Sequence, residues 1–408
     1  MSEHVYWIWL AQRPEFTARQ LNQLYEQMGT PAHLYAADRA AYIAVGLNAR
    51  QTAALCDKDL TAAYAILRTC EKQNIQILTR EDSGYPAALK EIDDPPLVLY
   101  VRGALPNFTL SPALTIVGTR SCSPYGLRMA ERFGEGLARA GFTVLSGMAL
   151  GIDSAAHRGC LKGGGRTVAV LAGGVDICYP AQNRRLMDEI LHSGAVLSEN
   201  PPGTENAGFR FPIRNRILSG MAAATLVVEA PLRSGALITA RRAFDQGREV
   251  FAVPGPIDAN ASKGCNRLIR DECARIVTEP LDIVHELADM LGTPPQEELV
   301  RRVWERETGE PEADLSLEAE PETPDEKKDR KPGLLGRLRG RPAAPRPLPE
   351  TLSPDEQRVA QALADGADSV DAVVQQTGME AGQVSAALVL LELDGYVEQK
   401  GGHYRRTP

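Results

Sequence analysis

Short runs of apolar residues without polar alternation recur between residues 97 and 291, and they constrain the fold more than any other feature of this chain. Uninterrupted apolar runs are typical of strands that are buried on both faces. Stretches with helical spacing separate the runs, which indicates parallel strands joined by helical crossovers. The runs are Leu114–Val117, Thr143–Leu145, Val168–Leu171, Ala195–Leu197, Leu226–Val228 and Val250–Val253. The sequence therefore predicts an α/β fold with a doubly wound parallel sheet.

The regions on either side of this segment have different patterns. Residues 1–95 contain four stretches with helical spacing and then the strand-like Ile75–Leu78, which predicts a small N-terminal helical domain. The four stretches are Ala18–Met28, Ala36–Val45, Asn48–Leu55 and Leu60–Gln73. Residues 351–408 open on a capping box at Ser353–Glu356 and continue as three helices and a hairpin, which is the pattern of a winged helix.

Residues 292–350 have the composition of a disordered linker. Ten of the 28 prolines lie between residues 291 and 350, and residues 305–330 carry eleven acidic against four basic side chains. Such a segment buries too little apolar surface to fold. The predicted organisation is a helical domain over 1–95, an α/β core over 96–291, a linker over 292–350 and a winged helix over 351–408.

Charge and cysteine content narrow the functional classes. The net charge of −8 argues against a protein that coats nucleic acid non-specifically, but it is compatible with a local cationic groove. Without a run of eighteen apolar residues or the basic start of a signal peptide, the sequence predicts a cytoplasmic protein with no membrane span. None of the seven cysteines forms a C-x-x-C pair, so reduced thiols are expected.

Two loops after predicted strands are suited to phosphate, and ligands of doubly wound sheets bind beside such loops. Gly118-Thr119-Arg120 follows the first run, where glycine permits close approach and arginine is a bidentate donor. Arg233-Ser234-Gly235 follows the fifth run, at a predicted helix start. The dinucleotide fingerprint G-x-G-x-x-G is missing. A glycine at such a turn also serves backbone geometry alone.

The segment Phe209–Ile217 is the most informative, because it interleaves arginines with phenylalanines. Guanidinium groups pair with phosphates and phenyl rings stack on unpaired bases, so the combination is typical of single-strand binding. The alternative is a helix start whose arginines form structural ion pairs. The residues are Phe209, Arg210, Phe211, Arg214 and Arg216. We predict a cationic cleft that unites Arg120, Arg214 and Arg233 at one rim of the sheet.

Asp153 and His157 lie four residues apart on one face of a predicted helix. They suit an acid–base pair or half a metal site, but also a helix cap and an interior histidine, and we favour the second interpretation because no further ligand lies nearby in sequence. Gly173–Asp176, followed by Tyr179–Asn183, forms another small-residue loop. P-loop, nucleophile-elbow and H-E-x-x-H motifs are missing, and neither a metal nor a cofactor is predicted.

The motifs in this order resemble those of the DNA-processing protein A (DprA/Smf) family. They are Tyr85-Pro86-x-x-Leu89, Ile116-Val117-Gly118-Thr119-Arg120, Ser146-Gly147-x-Ala149-x-Gly151-Ile152-Asp153-x-x-Ala156-His157, Tyr179-Pro180-x-x-Asn183, Phe211-Pro212-x-Arg214-Asn215-Arg216-Ile217 and Ser234-Gly235-x-Leu237-Ile238-Thr239. The resemblance implies a recombination mediator of natural transformation that binds and protects incoming single-stranded DNA, helps to load RecA recombinase and acts as a homodimer. It also implies an extended Rossmann core, a sterile-alpha-motif-like helical domain before it and often a winged helix after it.

Carried over by position, the resemblance assigns Gly118, Thr119 and Arg120 to a DNA phosphate, Phe211 to a base, and Arg233 to the basic position before Ser-Gly. Arg210 stands in for a lysine that some relatives have before the phenylalanine. The predicted DNA-binding residues are Gly118, Thr119, Arg120, Ser146, Gly147, Arg210, Phe211, Arg214, Asn215, Arg216, Arg233, Ser234 and Gly235. An alternative is a related Rossmann-like enzyme that cleaves nucleotide N-glycosidic bonds, but the loop Ser234–Thr239 lacks the catalytic glutamate of those enzymes. We expect no enzymatic activity.

The predicted winged helix is poorly suited to duplex DNA. Its third helix, Glu380–Leu393, contains no lysine or arginine, and residues 352–408 carry nine acidic against four basic side chains. A recognition helix must approach phosphates. We therefore expect this domain to bind a protein or the chain's own core.

Overall fold

The computed structural model describes residues 3–291, 295–308, 352–393, 396–400 and 403–406. The chain divides into two compact units, Met1–Trp304 and Glu305–Pro408. Throughout the described residues, every helix is too short or too polar to cross a lipid bilayer. All seven cysteines are free thiols.

A sheet of nine described strands runs through the larger unit. The strands are β1 Gln76–Thr79, β2 Val98–Gly103, β3 Ala113–Val117, β4 Thr143–Ser146, β5 Thr167–Val170, β6 Ala195–Ser198, β7 Ala224–Val227, β8 Glu249–Ala252 and β9 Arg275–Ile276. Their order is β1-β2-β6-β5-β4-β3-β7-β8-β9. All pairs from β6 to β9 are parallel, whereas β2 is antiparallel to both of its neighbours. The six predicted apolar runs are β3 to β8, which confirms the doubly wound sheet.

Helices cover both faces of this sheet. Those of the larger unit are α1 His4–Ala11, α2 Ala18–Met28, α3 Pro31–Ala36, α4 Arg39–Ala44, α5 Ala49–Cys56, α6 Thr61–Lys72, α7 Ala87–Lys90, α8 Pro124–Arg139, α9 Ile152–Lys162, α10 Arg184–Ser193, α11 Arg210–Met221, α12 Gly235–Asp245, α13 Lys263–Arg270, α14 Pro280–Glu286 and α15 Glu297–Thr308. Leu114 and Ile116 of β3 pack with Phe133 of α8, whereas Ala113 packs with Ile217 of α11. Burial of both faces explains why apolar residues dominate these strands without regular polar alternation.

The N-terminal helices pack together and against the sheet. All four predicted helical stretches are helical, and α1 with its buried Trp7 and Trp9 was not predicted. The ammonium of Lys58 lies 5.0–5.4 Å from the ring centroids of Trp9, Tyr35 and Tyr42, and so links α1, α3 and α4. The desolvation of Lys58 lowers the pKa of its amine.

The predicted boundary at residue 95 stays a prediction, as does the sterile-alpha-motif-like fold of the helices before it. Two observations bear on the connection between this region and the sheet. β1 precedes residue 95 and pairs with β2, from Gln76–Val101 to Thr79–Val98. Leu10 and Leu34 also share one hydrophobic cluster with Val98 and Val196 of the sheet.

Part of the predicted disordered linker, residues 292–350, is the helix α15. Residues 297–308 are helical, and Val300 and Val303 are buried on the larger unit. The ring of Trp304 packs on Phe133, with the two ring centroids 5.5 Å apart, and the guanidinium of Arg132 lies 3.8 Å from the Trp304 centroid. The disorder prediction is therefore wrong for this helix. The rest of the predicted linker, residues 292–294 and 309–350, lies outside the described residues.

The smaller unit has the predicted order of three helices and a hairpin. Its elements are α16 Pro354–Ala364, α17 Val370–Thr377, α18 Ala381–Leu393, β10 Val397–Lys400 and β11 His403–Arg406. The capping box predicted at Ser353 and Glu356 is present at the start of α16. Val359, Val373 and Leu388 belong to a separate hydrophobic core.

Candidate functional site

A cleft opens where the strand order reverses. β3 and β7 are parallel neighbours, and the chain fills the sheet from β3 outward on one side before it crosses to β7. The crevice beyond the carboxyl ends of such a strand pair is the usual ligand site of open α/β sheets. In this chain it is a cleft of about 310 Å³ between the loops after β3 and β7 and the start of α11.

Nine of the thirteen predicted DNA-binding residues line this one cleft. They are Gly118, Thr119, Arg120, Phe211, Arg214, Asn215, Arg233, Ser234 and Gly235. The guanidinium-bearing residues Arg120, Arg214 and Arg233, which come from three separate segments, thus meet at one rim of the sheet. Arg120 and Arg233 are exposed, whereas Arg214 is buried.

Arg214 lies at the bottom of the cleft and is buried, so it is not an exposed cation like Arg120 and Arg233. Its guanidinium donates to the backbone carbonyls of Gly147 and Val170, at the ends of β4 and β5. A Cβ atom on Gly147 would lie 2.5–2.8 Å from that guanidinium, so glycine is needed for the arginine to fit. Burial lowers the Arg214 pKa to about 10, against the opposing effect of nearby Asp153. Arg214 therefore holds strand ends together.

Four predicted contact residues do not line the cleft, and the structure gives each a different role. Ser146 is fully buried and donates to the carbonyl of Ile116, and Gly147 lies beneath Arg214. Arg210 donates to the side chain of Asn200. We therefore no longer assign Ser146, Gly147 and Arg210 to DNA.

Arg216 is a buried ion-pair residue, and its assignment to DNA is wrong. Its side chain is 3% exposed and lies between two carboxylates, with Nε 3.0 Å from Asp94 and Nη2 2.7 Å from Glu199. Desolvation opposes its charge, but Glu199 and Asp94 outweigh that effect and raise its pKa. The structural ion pair considered for this segment is thus the correct interpretation at Arg216.

The N-termini of helices α8 and α9, beside the cleft, already have a carboxylate of the protein nearby. Glu229, which is buried, accepts from the backbone N–H (2.8 Å) and the hydroxyl (2.6 Å) of Ser123 at the start of α8. Asp153, in the first turn of α9, accepts from the backbone N–H groups of Gly147 and Ala149. The positive ends of both helices are therefore neutralised from within the chain. Glu229 thus takes the place that a phosphate would have at the start of α8, the helix that follows the predicted loop Gly118-Thr119-Arg120.

The start of α12 differs from the other two. Ser234 caps the helix by accepting from the N–H of Ala236, and Arg233 precedes it. Gly235 is exposed, and a Cβ atom built on it would meet no atom within 4 Å. Gly118 contrasts with it, since its Cβ would strike Ile152 and Glu229, so packing explains the glycine there. Protein packing does not explain Gly235, which leaves space for a ligand at the helix end.

The aromatic ring of Phe211 lines the other side of the cleft, and a second ring lies next to it. The guanidinium of Arg120 lies over the ring of Phe211, 5.0 Å from its centroid. The ring of Tyr179 lies beside Phe211, with a centroid separation of 5.8 Å and a tilt of 48°. Tyr179 was not among the predicted contacts, although its motif had been singled out. An aromatic residue before a proline in a post-strand loop was the available signal.

The remaining motif residues are structural. Asp153 is buried with a raised pKa because of desolvation, and Nδ1 of His157 lies 2.6 Å from the hydroxyl of Thr167. The interior interpretation is therefore correct for His157. Asp153 is buried too, but it does not cap the helix: the N-cap of α9 is Gly151, and the Asp153 carboxylate accepts from Gly147 and Ala149 before the helix. The loop at Gly173 and Gly174 is closed by residues 201–206, since Cβ atoms there would meet the carbonyls of Thr204 and Pro201 at 2.8 Å.

Comparison with protein families gives two matches. Residues 76–288, more than half of the chain, match the family model for DNA recombination-mediator protein A. The chain belongs to the DNA-processing protein A (DprA/Smf) family. Residues 342–403 match the DprA winged helix domain, which agrees with the fold of the smaller unit.

Individual relatives of the DprA/Smf family cover most of the chain. Protein Smf of Synechocystis sp. is 36% identical over 84% of this chain and 83% of that protein. A putative DprA of Mycobacterium tuberculosis is 33% identical over 98% of this chain and 93% of its own. The crystal structure of DprA from Streptococcus pneumoniae superposes with a TM-score of 0.59 at 34% identity, over 69% of this chain and 97% of that one.

Proposed function

We propose that this chain binds single-stranded DNA in the cleft between the loops after β3 and β7. Exposed Arg120 and Arg233 contact phosphates, the start of α12 at Ser234 and Gly235 receives another, and Phe211 stacks on a base. The observation that carries the proposal is the meeting of these cationic and aromatic side chains in one cleft of an otherwise acidic protein.

The bound strand is then passed to RecA recombinase during natural transformation, in the cytoplasm. The description of the matching family model as a recombination mediator supports this step. We propose no catalytic role. Among the residues that line the cleft, the one carboxylate is Asp153, which is buried and accepts from backbone N–H groups.

Titration with fluorescently labelled oligonucleotides across salt concentrations tests the proposal. We expect single strands to bind more tightly than a duplex of the same sequence, because stacking on Phe211 requires unpaired bases. The logarithm of the affinity should fall linearly with the logarithm of the salt concentration, since phosphate contacts release counterions. Equal affinity for both forms, or affinity independent of salt, contradicts the proposal.

The winged helix is not needed for strand binding in this proposal. Its helix α18 has no basic residue, so deletion of residues 350–408 should change the single-strand affinity by about twofold or less. The larger unit has its own hydrophobic cores and is suited to the comparison. A tenfold loss of affinity in the truncated protein would refute this prediction.

We further propose that two copies associate through the β9 edge of the sheet. The exposed side chains of Phe244 and Ile276 lie with Ile269 in a groove beside this edge strand. Exposed apolar side chains beside the edge of a sheet form a surface that proteins normally cover.

Phe244→Asp should therefore weaken the dimer by about 30-fold or more, in the range of an interface hot spot, when measured by sedimentation equilibrium. Ile257→Asp is the matched control, because Ile257 is 89% exposed and does not line this groove. A dimer that survives Phe244→Asp unchanged would place the interface elsewhere.

A further inference from the structure

We infer that Tyr179 is a second base-stacking residue and that a base binds between its ring and that of Phe211. The inference rests on the proposed function and extends it to a residue outside the predicted site. Tyr179 is 44% exposed, although its ring is apolar and its segment is well anchored.

The anchor of this segment is Asn183, four residues further along the chain. The buried amide of Asn183 donates to the carbonyl of Met148 (2.8 Å) and to the hydroxyl of Ser154 (2.9 Å). Met148 lies in the connection between β4 and α9, and Ser154 lies in the first turn of α9, beside the cleft. Asn183 thus fixes the loop to the sheet, while Tyr179 at the other end of the motif is held at the surface against Phe211. The Tyr179 ring is therefore accessible to a ligand at a fixed position beside Phe211.

The rings of Tyr179 and Phe211 are almost far enough apart to hold a base between them; we call the space between them the slot. A base held between two parallel rings needs about 7 Å between them, twice the spacing of about 3.4 Å along a stacked strand. The centroids of Tyr179 and Phe211 are 5.8 Å apart and the ring planes are tilted by 48°. A rotation of the exposed Tyr179 ring and an increase of about 1 Å therefore admit a base.

Arg120 places a phosphate beside this slot. Its guanidinium covers the ring of Phe211 at 5.0 Å, and within the described structure no ion pair joins Arg120 to an acidic side chain. A single strand then places one phosphate at Arg120 and the adjoining base between the rings of Phe211 and Tyr179. Stacking of this kind tolerates any sequence, because every base has a π-face.

The test compares three proteins: wild type, Tyr179→Phe and Tyr179→Leu. Phenylalanine keeps the flat ring without the hydroxyl, and leucine keeps apolar bulk without the ring. We expect Tyr179→Phe to bind a single-stranded oligonucleotide within about twofold of wild type, and Tyr179→Leu to bind about tenfold more weakly. Tryptophan fluorescence during denaturation should show equal stability for all three, because the side chain is exposed.

A fluorescent base analogue gives a second, non-thermodynamic readout. With 2-aminopurine at successive positions of the oligonucleotide, wild type and Tyr179→Phe should quench one position more strongly than Tyr179→Leu does. Equal affinity and equal quenching in Tyr179→Leu overturn the inference. So does an equal loss in both variants, since the hydroxyl would then be the contacting group.

Failure of the inference is distinguishable from failure of the proposed function. If wild type binds single strands and removal of Arg120 and Arg233 abolishes that binding, while Tyr179→Leu is unaffected, only the role of Tyr179 is wrong. If wild type shows no preference for single strands, the assignment of the cleft to single-stranded DNA is wrong, and so is the inference about Tyr179.

Discussion

Replacement of Arg216 by alanine should destabilise the larger unit by about 3–5 kcal/mol, because the substitution leaves two carboxylates without their buried cation. Asp94 and Glu199 lie at 3.0 and 2.7 Å from the guanidinium. Tryptophan fluorescence during denaturant unfolding measures this effect cleanly. The three tryptophans of the chain, Trp7, Trp9 and Trp304, all belong to the larger unit.

Arg241→Ala is the matched control for this substitution. Arg241 is also paired with a carboxylate, Asp245 at 2.9 Å, but its side chain is 76% exposed. Its removal should cost only about 0.3–0.5 kcal/mol. Similar unfolding midpoints for the two variants would contradict the structural role of Arg216.

A triple substitution separates stability from DNA binding. Arg216→Met with Asp94→Asn and Glu199→Gln removes all three charges together, so no buried charge is left unpaired, and most of the lost stability should return. The single-strand affinity of this variant should stay within about twofold of wild type, because Arg216 lies outside the cleft. A large loss of affinity in the stable triple variant would restore Arg216 to the DNA site.

The double substitution of Arg120 and Arg233 by alanine should weaken single-strand binding by about 100-fold or more, since each charged hydrogen bond contributes about 1.5–3 kcal/mol. The salt dependence should flatten as well, its slope falling by about 1.4, or about 0.7 for each lost phosphate contact. Both side chains are exposed, so the fold should be unaffected.

Arg185→Ala with Arg241→Ala provides the control for net charge. It also removes two positive charges, but from exposed helix positions that do not line the cleft. This variant should bind nearly as wild type does. If both double variants lose affinity equally, overall charge rather than the cleft attracts the strand, and the proposed site is wrong.

The core of the sheet was predictable because its strands are buried on both faces. Such strands are typically continuous apolar runs, and here the runs alternate with helical stretches. Helix α1 escaped prediction for a related reason. It is apolar on all sides, from Val5 to Leu10, and therefore lacks the amphipathic period by which helices are recognised. Helix α15 does carry such a period, at Val300, Val303 and Trp304. The disorder prediction was based on the average composition of a 59-residue proline-rich segment, and such an average does not register one short helix.

The site was predictable at the level of segments and less so at the level of side chains. Both phosphate loops and the arginine-rich helix meet as expected, since all follow parallel strands that end at one edge. Within α11, helical spacing alone places Phe211, Arg214 and Asn215 on one face and Arg216 on another. The partners of Arg216 lie 122 and 17 positions away in sequence, at Asp94 and Glu199, and only the folded chain reveals them.

Glu229 and Asp153 bring one more consequence, which concerns the speed of strand capture. With these carboxylates in place, the loops around the cleft have their electrostatic partners before any polynucleotide arrives. If the proposed function holds, encounter demands no ordering of loops, and we expect diffusion of the polyanion toward the exposed guanidiniums to govern the association rate. We expect such a groove to bind a strand at first contact, whatever its sequence.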